Sequence, residues 1–354
     1  MRRISRAVTV RNLTVGGDAP VSVQTMSTVN PSATAEAIAD VKRLVGYGAE
    51  IIRFAVPDMA AAKGLERVVR ASSVPLVADI HFDYKLALQA VAGGIDALRI
   101  NPGNIGSDEK VASVVDAVKK KNIPIRIGIN SGSLPADILD THNGHPTAEG
   151  MVEGALRHIR ICERLDYKNL VISLKASHVP LMIEAYSLLA TKVDYPFHLG
   201  VTEAGLLREG TIKSAIGIGT LLHQGIGDTI RVSLTDDPAE EIKTGRLILS
   251  SLGLRHFGPT LISCPTCGRT QVELIKLAKE VEAALEGIEE PLKIAVMGCA
   301  VNGPGEAREA DFGIAGGNGK GLIFSHGNIL RTVPEAKLVT GLLEEIHTYL
   351  ENKH

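Results

Sequence analysis

The sequence predicts a (β/α)8 TIM barrel followed by a smaller α/β domain. Three observations predict it. Eight short apolar strands alternate with helical stretches over roughly the first 250 residues, the size of such a barrel. Polar residues recur with period two along one face of those strands. From about Gly258 the pattern changes, and three of the four cysteines fall beyond that point. A doubly wound open sheet is the competing architecture, but it usually needs fewer strand–helix units.

The barrel strands are expected at 21–27, 50–56, 75–81, 97–101, 123–130, 170–176, 197–202 and 229–234. Helical stretches at 33–47, 59–71, 84–92 and 108–121 lie between them, and Gly46-Tyr47-Gly48, Gly93-Gly94 and Gly225-Ile226-Gly227 punctuate the joins. The first domain is assigned to residues 1–257. The second, 258–354, is expected to hold a helix over 271–285, strands at 292–297, 312–315 and 322–325, and a last helix over 335–351.

Composition narrows the function. The 354 residues carry 38 Lys+Arg against 40 Asp+Glu, a net charge of −2, with 45% apolar residues. That mix suits a globular chain and not wholesale disorder. Near-neutral charge gives no support to a nucleic-acid surface or a polybasic membrane surface. With 3% aromatics and no Trp, a base-stacking platform is also disfavoured. No apolar run is long enough to span a bilayer, and the basic start, Met1 to Arg6, has no apolar stretch behind it. The expectation is a soluble cytoplasmic protein that uses neither membrane nor nucleic acid. A disulfide framework is not expected in such a chain.

The polar strand face carries the chemistry. Arg126, Gly128 and Asn130 share one face of the fifth strand, and Ile125, Ile127 and Ile129 take the other. Asp79 and His81 lie together on the third strand, Arg99 and Asn101 on the fourth, and Ser173, Lys175 and Ser177 on the sixth. Arg231, Ser233 and Thr235 do so on the eighth, and Arg53 on the second. Five strands therefore bring a cation to this face: Arg53, Arg99, Arg126, Lys175 and Arg231. Barrel interiors are normally filled by Val, Ile and Leu, and an unpaired buried cation costs several kcal/mol. Either the cations pair internally with Asp79, Glu203 and Asp236 or some point outward and snorkel, or the mouth binds a small polyanion. Guanidinium forks suit phosphate oxygens, and so many converging cations suit a diphosphate better than one phosphate. Asn101, Asn130 and Ser233 can bond phosphate or hydroxyls. His81 is either a general acid or phosphate donor, or a histidine held by Asp79. In Thr202-Glu203-Ala204-Gly205, Glu203 ends the seventh strand as a counter-ion or a proton donor.

The cysteines divide. Cys162 stands alone in a helical stretch and reads as an inert thiol. Cys264 and Cys267 form CxxC in Ser263-Cys264-Pro265-Thr266-Cys267-Gly268-Arg269, and Cys299 follows a strand. A closed zinc site needs four ligands, and His256 or His326 are conceivable fourth ones. A cubane iron–sulfur cluster takes one ligand per iron. Three thiolates then leave one iron for another donor, and Glu306, seven residues past Cys299 across Gly303-Pro304-Gly305, supplies an oxygen. A carboxylate is a harder and more replaceable ligand than a thiolate.

Taken together, these motifs resemble the bacterial 4-hydroxy-3-methylbut-2-en-1-yl diphosphate synthases of the non-mevalonate isoprenoid pathway. The resemblance rests on the CxxC segment above and on Met297-Gly298-Cys299 through Asn302-Gly303-Pro304-Gly305-Glu306 to Asp311. It rests also on Ala78-Asp79-Ile80-His81-Phe82, Leu98-Arg99-Ile100-Asn101-Pro102-Gly103-Asn104, Thr202-Glu203-Ala204-Gly205 and Arg231-Val232-Ser233-Leu234. Gln24-Thr25-Met26 departs from the family's Gln-Ser-Met but keeps the hydroxyl. The chain has no room for the extra middle domain of the plant enzymes.

The resemblance implies one 4Fe–4S cluster per subunit, held by Cys264, Cys267, Cys299 and Glu306. It implies the substrate 2-C-methyl-D-erythritol 2,4-cyclodiphosphate, opened and dehydroxylated with two electrons from ferredoxin or flavodoxin. On the reading of the strand face above, Arg53, Arg99, Arg126, Lys175 and Arg231 anchor the diphosphate, His81, Asn101, Asn130, Thr202 and Ser233 lie beside it, and Glu203 is the candidate proton donor. The resemblance also implies a homodimer, in which the cluster domain of one subunit covers the barrel mouth of the other.

Overall fold

In the computed structural model, residues 2–299 and 307–353 are described, apart from the side chains of 102 and 103. The chain divides into two compact units, Met1–Arg255 and His256–His354.

The first unit is built on eight parallel strands: β3 (Ser22–Met26), β4 (Ile51–Ala55), β5 (Leu76–Asp79), β6 (Ala97–Ile100), β7 (Ile125–Asn130), β8 (Leu170–Lys175), β9 (His198–Leu199) and β10 (Thr229–Ile230). They run β8-β7-β6-β5-β4-β3-β10-β9. A parallel bridge between Ile172 and Phe197 joins the two ends and closes the barrel. All eight lie where the hydrophobic pattern puts them. The last two are shorter than expected, because beyond Leu199 and Ile230 only single bonds hold the extended chain. These are Arg231 N–Leu199 O at 2.9 Å and Thr202 N–Ala176 O at 3.2 Å.

Period two sorts the strands as expected. Ile125, Ile127 and Ile129 are buried against the outer helices, while Arg126 and Asn130 point inward. Helices Met59–Ala71, Tyr84–Ala92 and Asp108–Lys121 match their expected limits. Local chemistry fixes two of these ends. The Asp58 side chain accepts from Ala61 N at the first turn of Met59–Ala71. Asn122, in a left-handed conformation, terminates Asp108–Lys121.

The sequence reading did not anticipate the hairpin β1 (Val8–Val10) and β2 (Leu13–Val15). Its two-residue turn, Arg11-Asn12, has a left-handed Arg11. Val8, Val10 and Val15 pack on Ile51, Val77, Ala97 and Val171, near the starts of four barrel strands. The hairpin thereby plugs the amino-terminal end of the barrel and leaves the carboxyl-terminal end as the mouth.

The second unit is a five-stranded mixed sheet in the order β11 (Thr260–Ser263), β12 (Lys293–Met297), β13 (Phe312–Gly316), β14 (Lys320–Ser325) and β15 (Asn328–Pro334). The first three strands are parallel, and β14 and β15 return antiparallel. Helices Leu274–Ala284 and Leu338–Lys353 cover one face through Ile294, Val296, Ile314 and Ile323. The alternate residues Ala295, Met297 and Ala315 pack with Ala307 and Ala310. Strands β11 and β15 were not anticipated. Both lie at sheet edges and are largely exposed, so the apolar alternation that marks a buried strand is missing.

Candidate active site

The barrel mouth is a cavity of about 200 Å³ lined by Arg53, Asp79, His81, Arg99, Arg126, Asn130, Ser173, Lys175, Thr202 and Arg231. These residues come from five strands, β4 to β8, and from the two segments that follow β9 and β10. All five cations read from the sequence line it, as do His81, Asn130 and Thr202. Asn101 is buried at the end of β6 outside the lining. Ser233 also lies outside it and accepts from Arg231 Nη1 at 2.7 Å.

Two carboxylates serve these cations. Asp79 accepts from Arg99 Nη1 at 3.1 Å and lies 3.5 Å from Arg53 Nε and from His81 Nε2. Burial opposes its ionisation, yet Arg53, His81 and Arg99 outweigh that and hold its pKa well below the usual carboxylate range. The second is Glu241, on helix Pro238–Ser251, which the sequence reading missed. Its carboxylate grips Arg231 at both Nε (3.1 Å) and Nη2 (2.8 Å). It also accepts from Leu234 N at 3.0 Å and Thr25 Oγ1 at 3.0 Å. Nothing along the chain marks it, because a glutamate in a helix's first turn ordinarily complements the helix dipole. Glu203 and Asp236 form no ion pair with these cations among the described residues. Glu203 is exposed, lies outside the cavity lining and has a left-handed backbone, φ +52°.

Five cations against two carboxylates leave an excess of three positive charges in a buried mouth. Internal pairing therefore accounts for only part of the set. The consequences appear in the titration of the cations. Burial lowers Arg53 to about 10, with Asp79 opposing and Arg231 and Arg99 adding to the shift. Burial and Arg53 push Arg126 well below the ordinary guanidinium value. Burial, then Arg53, Arg231, Arg126 and Arg99, push Lys175 well below the ordinary ammonium value.

Strand β3 supports this layer with three consecutive residues. Gln24 Oε1 accepts from Arg126 Nη1. Thr25 donates to Glu241, which holds Arg231. Met26 Sδ lies 2.9 Å from Arg53 Nη2. The Ser-to-Thr departure thus retains the hydroxyl that the network uses. Two glycines make room for it. A Cβ on Gly128 would lie 2.5 Å from Arg99 Nε, and one on Gly200 would lie 2.5 Å from Arg231 O and 2.8 Å from Lys175 Nζ.

In the second unit, parallel pairing of β11 with β12 brings Cys264 and Cys299, just past the ends of these strands, to the same edge of the sheet. Gly298 N donates to Cys264 Sγ at 3.2 Å, and Gln271 N to Gly298 O at 2.8 Å, tying the CxxC loop to the end of β12. Cys267 is exposed, and a hydrogen bond from Arg269 N holds its thiol below the ordinary range. Cys299 is buried.

Glu306 lies outside the described residues. Among the described residues no three Cys, His, Asp or Glu side chains form a metal-holding group. His326, in the β14–β15 turn, stands at the opposite end of the sheet from Cys264 and Cys299, and His256 precedes β11 at that same far end. Neither histidine is placed to complete a site with these cysteines. Cys162 is fully buried, and burial pushes its thiol up to about 12, so it is inert as expected.

The fold and mouth define a (β/α)8 protein with a cation-lined mouth and a second domain that carries three cysteines beside one sheet edge. Residues 5–246 match the GcpE TIM-barrel domain and residues 260–348 the GcpE protein C-terminal domain, so the chain belongs to the GcpE family. It is 55% identical, over all of both chains, to 4-hydroxy-3-methylbut-2-en-1-yl diphosphate synthase (flavodoxin) of Geobacter sulfurreducens. It is 53% identical to the enzyme of the same name from Caldanaerobacter subterraneus, over 100% of this chain and 99% of the relative. Among solved structures, dihydropteroate synthase from Stenotrophomonas maltophilia superposes with a TM-score of 0.51 at 16% identity, covering 70% of this chain and 98% of that one. That likeness concerns the barrel fold alone. No helix among the described residues is long and apolar enough to cross a membrane.

The lowered pKa of Lys175 sets the sign of a pH effect. In the free protein the cations favour the neutral amine, and an anion in the mouth favours the ammonium. Binding above the free-protein pKa therefore takes up a proton, and affinity falls as pH rises through that pKa. Calorimetry with inorganic pyrophosphate in buffers of different ionisation enthalpy checks this. Proton uptake that persists unchanged in Lys175→Met contradicts the assignment to Lys175.

Proposed function

We propose that the chain reductively opens and dehydroxylates 2-C-methyl-D-erythritol 2,4-cyclodiphosphate to 4-hydroxy-3-methylbut-2-enyl diphosphate, an oxidoreductase step of non-mevalonate isoprenoid biosynthesis. Membership of the GcpE family names the activity. The observation that carries the reading on this chain is the excess of three positive charges in the mouth. The cyclic diphosphate, with one ionised oxygen on each phosphorus, offsets most of that excess, and the ring-opened product gains a further negative charge in the same mouth.

Arg53, Arg99, Arg126, Lys175 and Arg231 hold the two phosphoryl groups. Asn130, His81 and Thr202 bond the remaining oxygens from the rim. Ser233 fixes Arg231 from the side, and Asn101 supports the end of β6. Guanidiniums locked by Asp79, Glu241 and Gln24 need little reorganisation when the anion arrives. Two electrons enter, the ring C–O bond to phosphate opens, and a hydroxyl leaves as water after protonation.

Glu203 is the proton donor in this reading. Its left-handed backbone supports the assignment, since a non-glycine residue there costs on the order of 1 kcal/mol and such strain collects at functional positions. Glu203→Gly is expected to raise stability by about 1 kcal/mol while abolishing turnover. Glu203→Gln lowers kcat far more than it changes KM. Normal kcat in either variant removes Glu203 from the chemistry.

A 4Fe–4S cluster, one per subunit, is held by Cys264, Cys267, Cys299 and Glu306 in this proposal. When bound, the cluster supplies the electrons one at a time and a Lewis-acidic iron. Thiols beside adjacent strand ends, with N–H donors to two of the sulfurs, suit anionic ligands of this kind. Flavodoxin, the partner in the relatives' name, is the electron donor, with ferredoxin as the alternative. The working form is a homodimer in the cytoplasm.

Glu306→Ala is expected to weaken or alter the visible absorption of anaerobically purified protein and to abolish turnover of the cyclic diphosphate. An intact cluster with full activity would remove Glu306 from the ligand set.

A further inference from the structure

Beneath the cation layer lies a second, smaller chamber of about 30 Å³. Its floor is apolar, with Val10 and Val15 of the hairpin among its walls. Its polar lining is Gln24, Arg126, His198 and Thr229. Arg126 lines both cavities, so one guanidinium separates the chamber from the mouth.

His198 is fully buried on β9, and neither ring nitrogen has a hydrogen-bond partner among the described residues. Its backbone is fixed, since Tyr186 donates its hydroxyl to the His198 carbonyl. Burial and the cations Arg126, Lys175, Arg53 and Arg231 all push its pKa well below the ordinary value. The ring is therefore neutral, with one N–H donor and one acceptor nitrogen. Leaving two such groups buried and unsatisfied is costly, so a partner is expected for them.

Arg126 faces a similar shortage. Of the five N–H donors of a guanidinium, the hydrogen bond found among the described residues is the one to Gln24 Oε1. Thr229 donates to Ser22 O at 3.2 Å and keeps its lone pairs. The chamber thus has room for a water molecule and two to four polar groups around it, the conditions under which buried water is retained.

We propose that this chamber holds one structural water bonded to the His198 ring and to the underside of the Arg126–Gln24 pair, and that His198 is a positioning residue for Arg126. The water supplies the acceptor that the buried guanidinium lacks from below. Its upper N–H groups are then left aimed at the mouth. Only the neutral ring serves, because an imidazolium would add a sixth positive charge to the layer.

The anion-binding part of this inference rests on the proposed function; the water itself does not. A high-resolution crystal structure of the full chain is expected to show one water within hydrogen-bond distance of a His198 nitrogen and of Arg126 or Gln24. A dry chamber overturns the proposal. His198→Phe, which removes both ring nitrogens, is expected to weaken binding of inorganic pyrophosphate about tenfold, the loss of one hydrogen bond to a charged group. His198→Gln, which retains a donor and an acceptor, restores most of that affinity. Native affinity in a folded His198→Phe overturns the positioning role. If His198→Phe does not fold, His198→Gln and the crystallographic water decide. Failure of the wild-type protein to bind pyrophosphate would count against the anion site, and the water would still be tested by diffraction.

Discussion

The structure depends on keeping five cations inside a barrel that has only two carboxylates to offset them. Desolvating an ion costs several kcal/mol, and guanidiniums that repel one another add to that. Such a mouth is stable only if each cation is held in place and the remaining charge is left for a ligand. The pairings answer the first requirement: Asp79 takes Arg53 and Arg99, Glu241 takes Arg231, and Gln24 takes Arg126. Lys175, whose pKa every neighbouring guanidinium lowers, marks where the uncompensated charge concentrates. The same arithmetic reconciles a chain of net charge −2 with an anionic substrate, because the positive charge is local.

The scaffold is shaped around that requirement. Strand β3 contributes little to the cavity surface, yet its three residues Gln24, Thr25 and Met26 each reach a different arginine directly or through one carboxylate. Gly128 and Gly200 are small because Arg99, Lys175 and the Arg231 carbonyl occupy the space where a side chain would begin. The hairpin at the opposite end packs its valines on the starts of the barrel strands, so the floor beneath the cations is apolar. A low-dielectric floor strengthens the field at the mouth, the proposed site of the diphosphate.

Much of this was legible in the sequence because strands impose period two. Once Ile125, Ile127 and Ile129 are assigned outward, Arg126 and Asn130 must point in, and the same reasoning places Arg53, Arg99, Lys175 and Arg231. What was not legible lies where no period operates. Glu241 sits on a helix, where a buried glutamate and a solvated one look alike in sequence. Thr25 was noticed only as a departure from a family motif, since its partner is more than 200 residues away in the chain. His198 is a single histidine in a two-residue strand, with nothing beside it to suggest two unpartnered nitrogens. The cysteine loops were legible as a CxxC motif and a distant third thiol, and the parallel β11–β12 pairing supplies the reason they share one sheet edge.

The central claim is that the mouth is built for two linked phosphoryl groups and not simply for negative charge. Equilibrium binding of inorganic pyrophosphate and of inorganic phosphate, at matched ionic strength, tests it most directly. Pyrophosphate is expected to bind at least about tenfold more tightly, because it engages the arginine layer and Lys175 together. Arg126→Ala is expected to erase most of that difference. Equal affinity for the two anions, or a preference untouched by Arg126→Ala, would contradict the account.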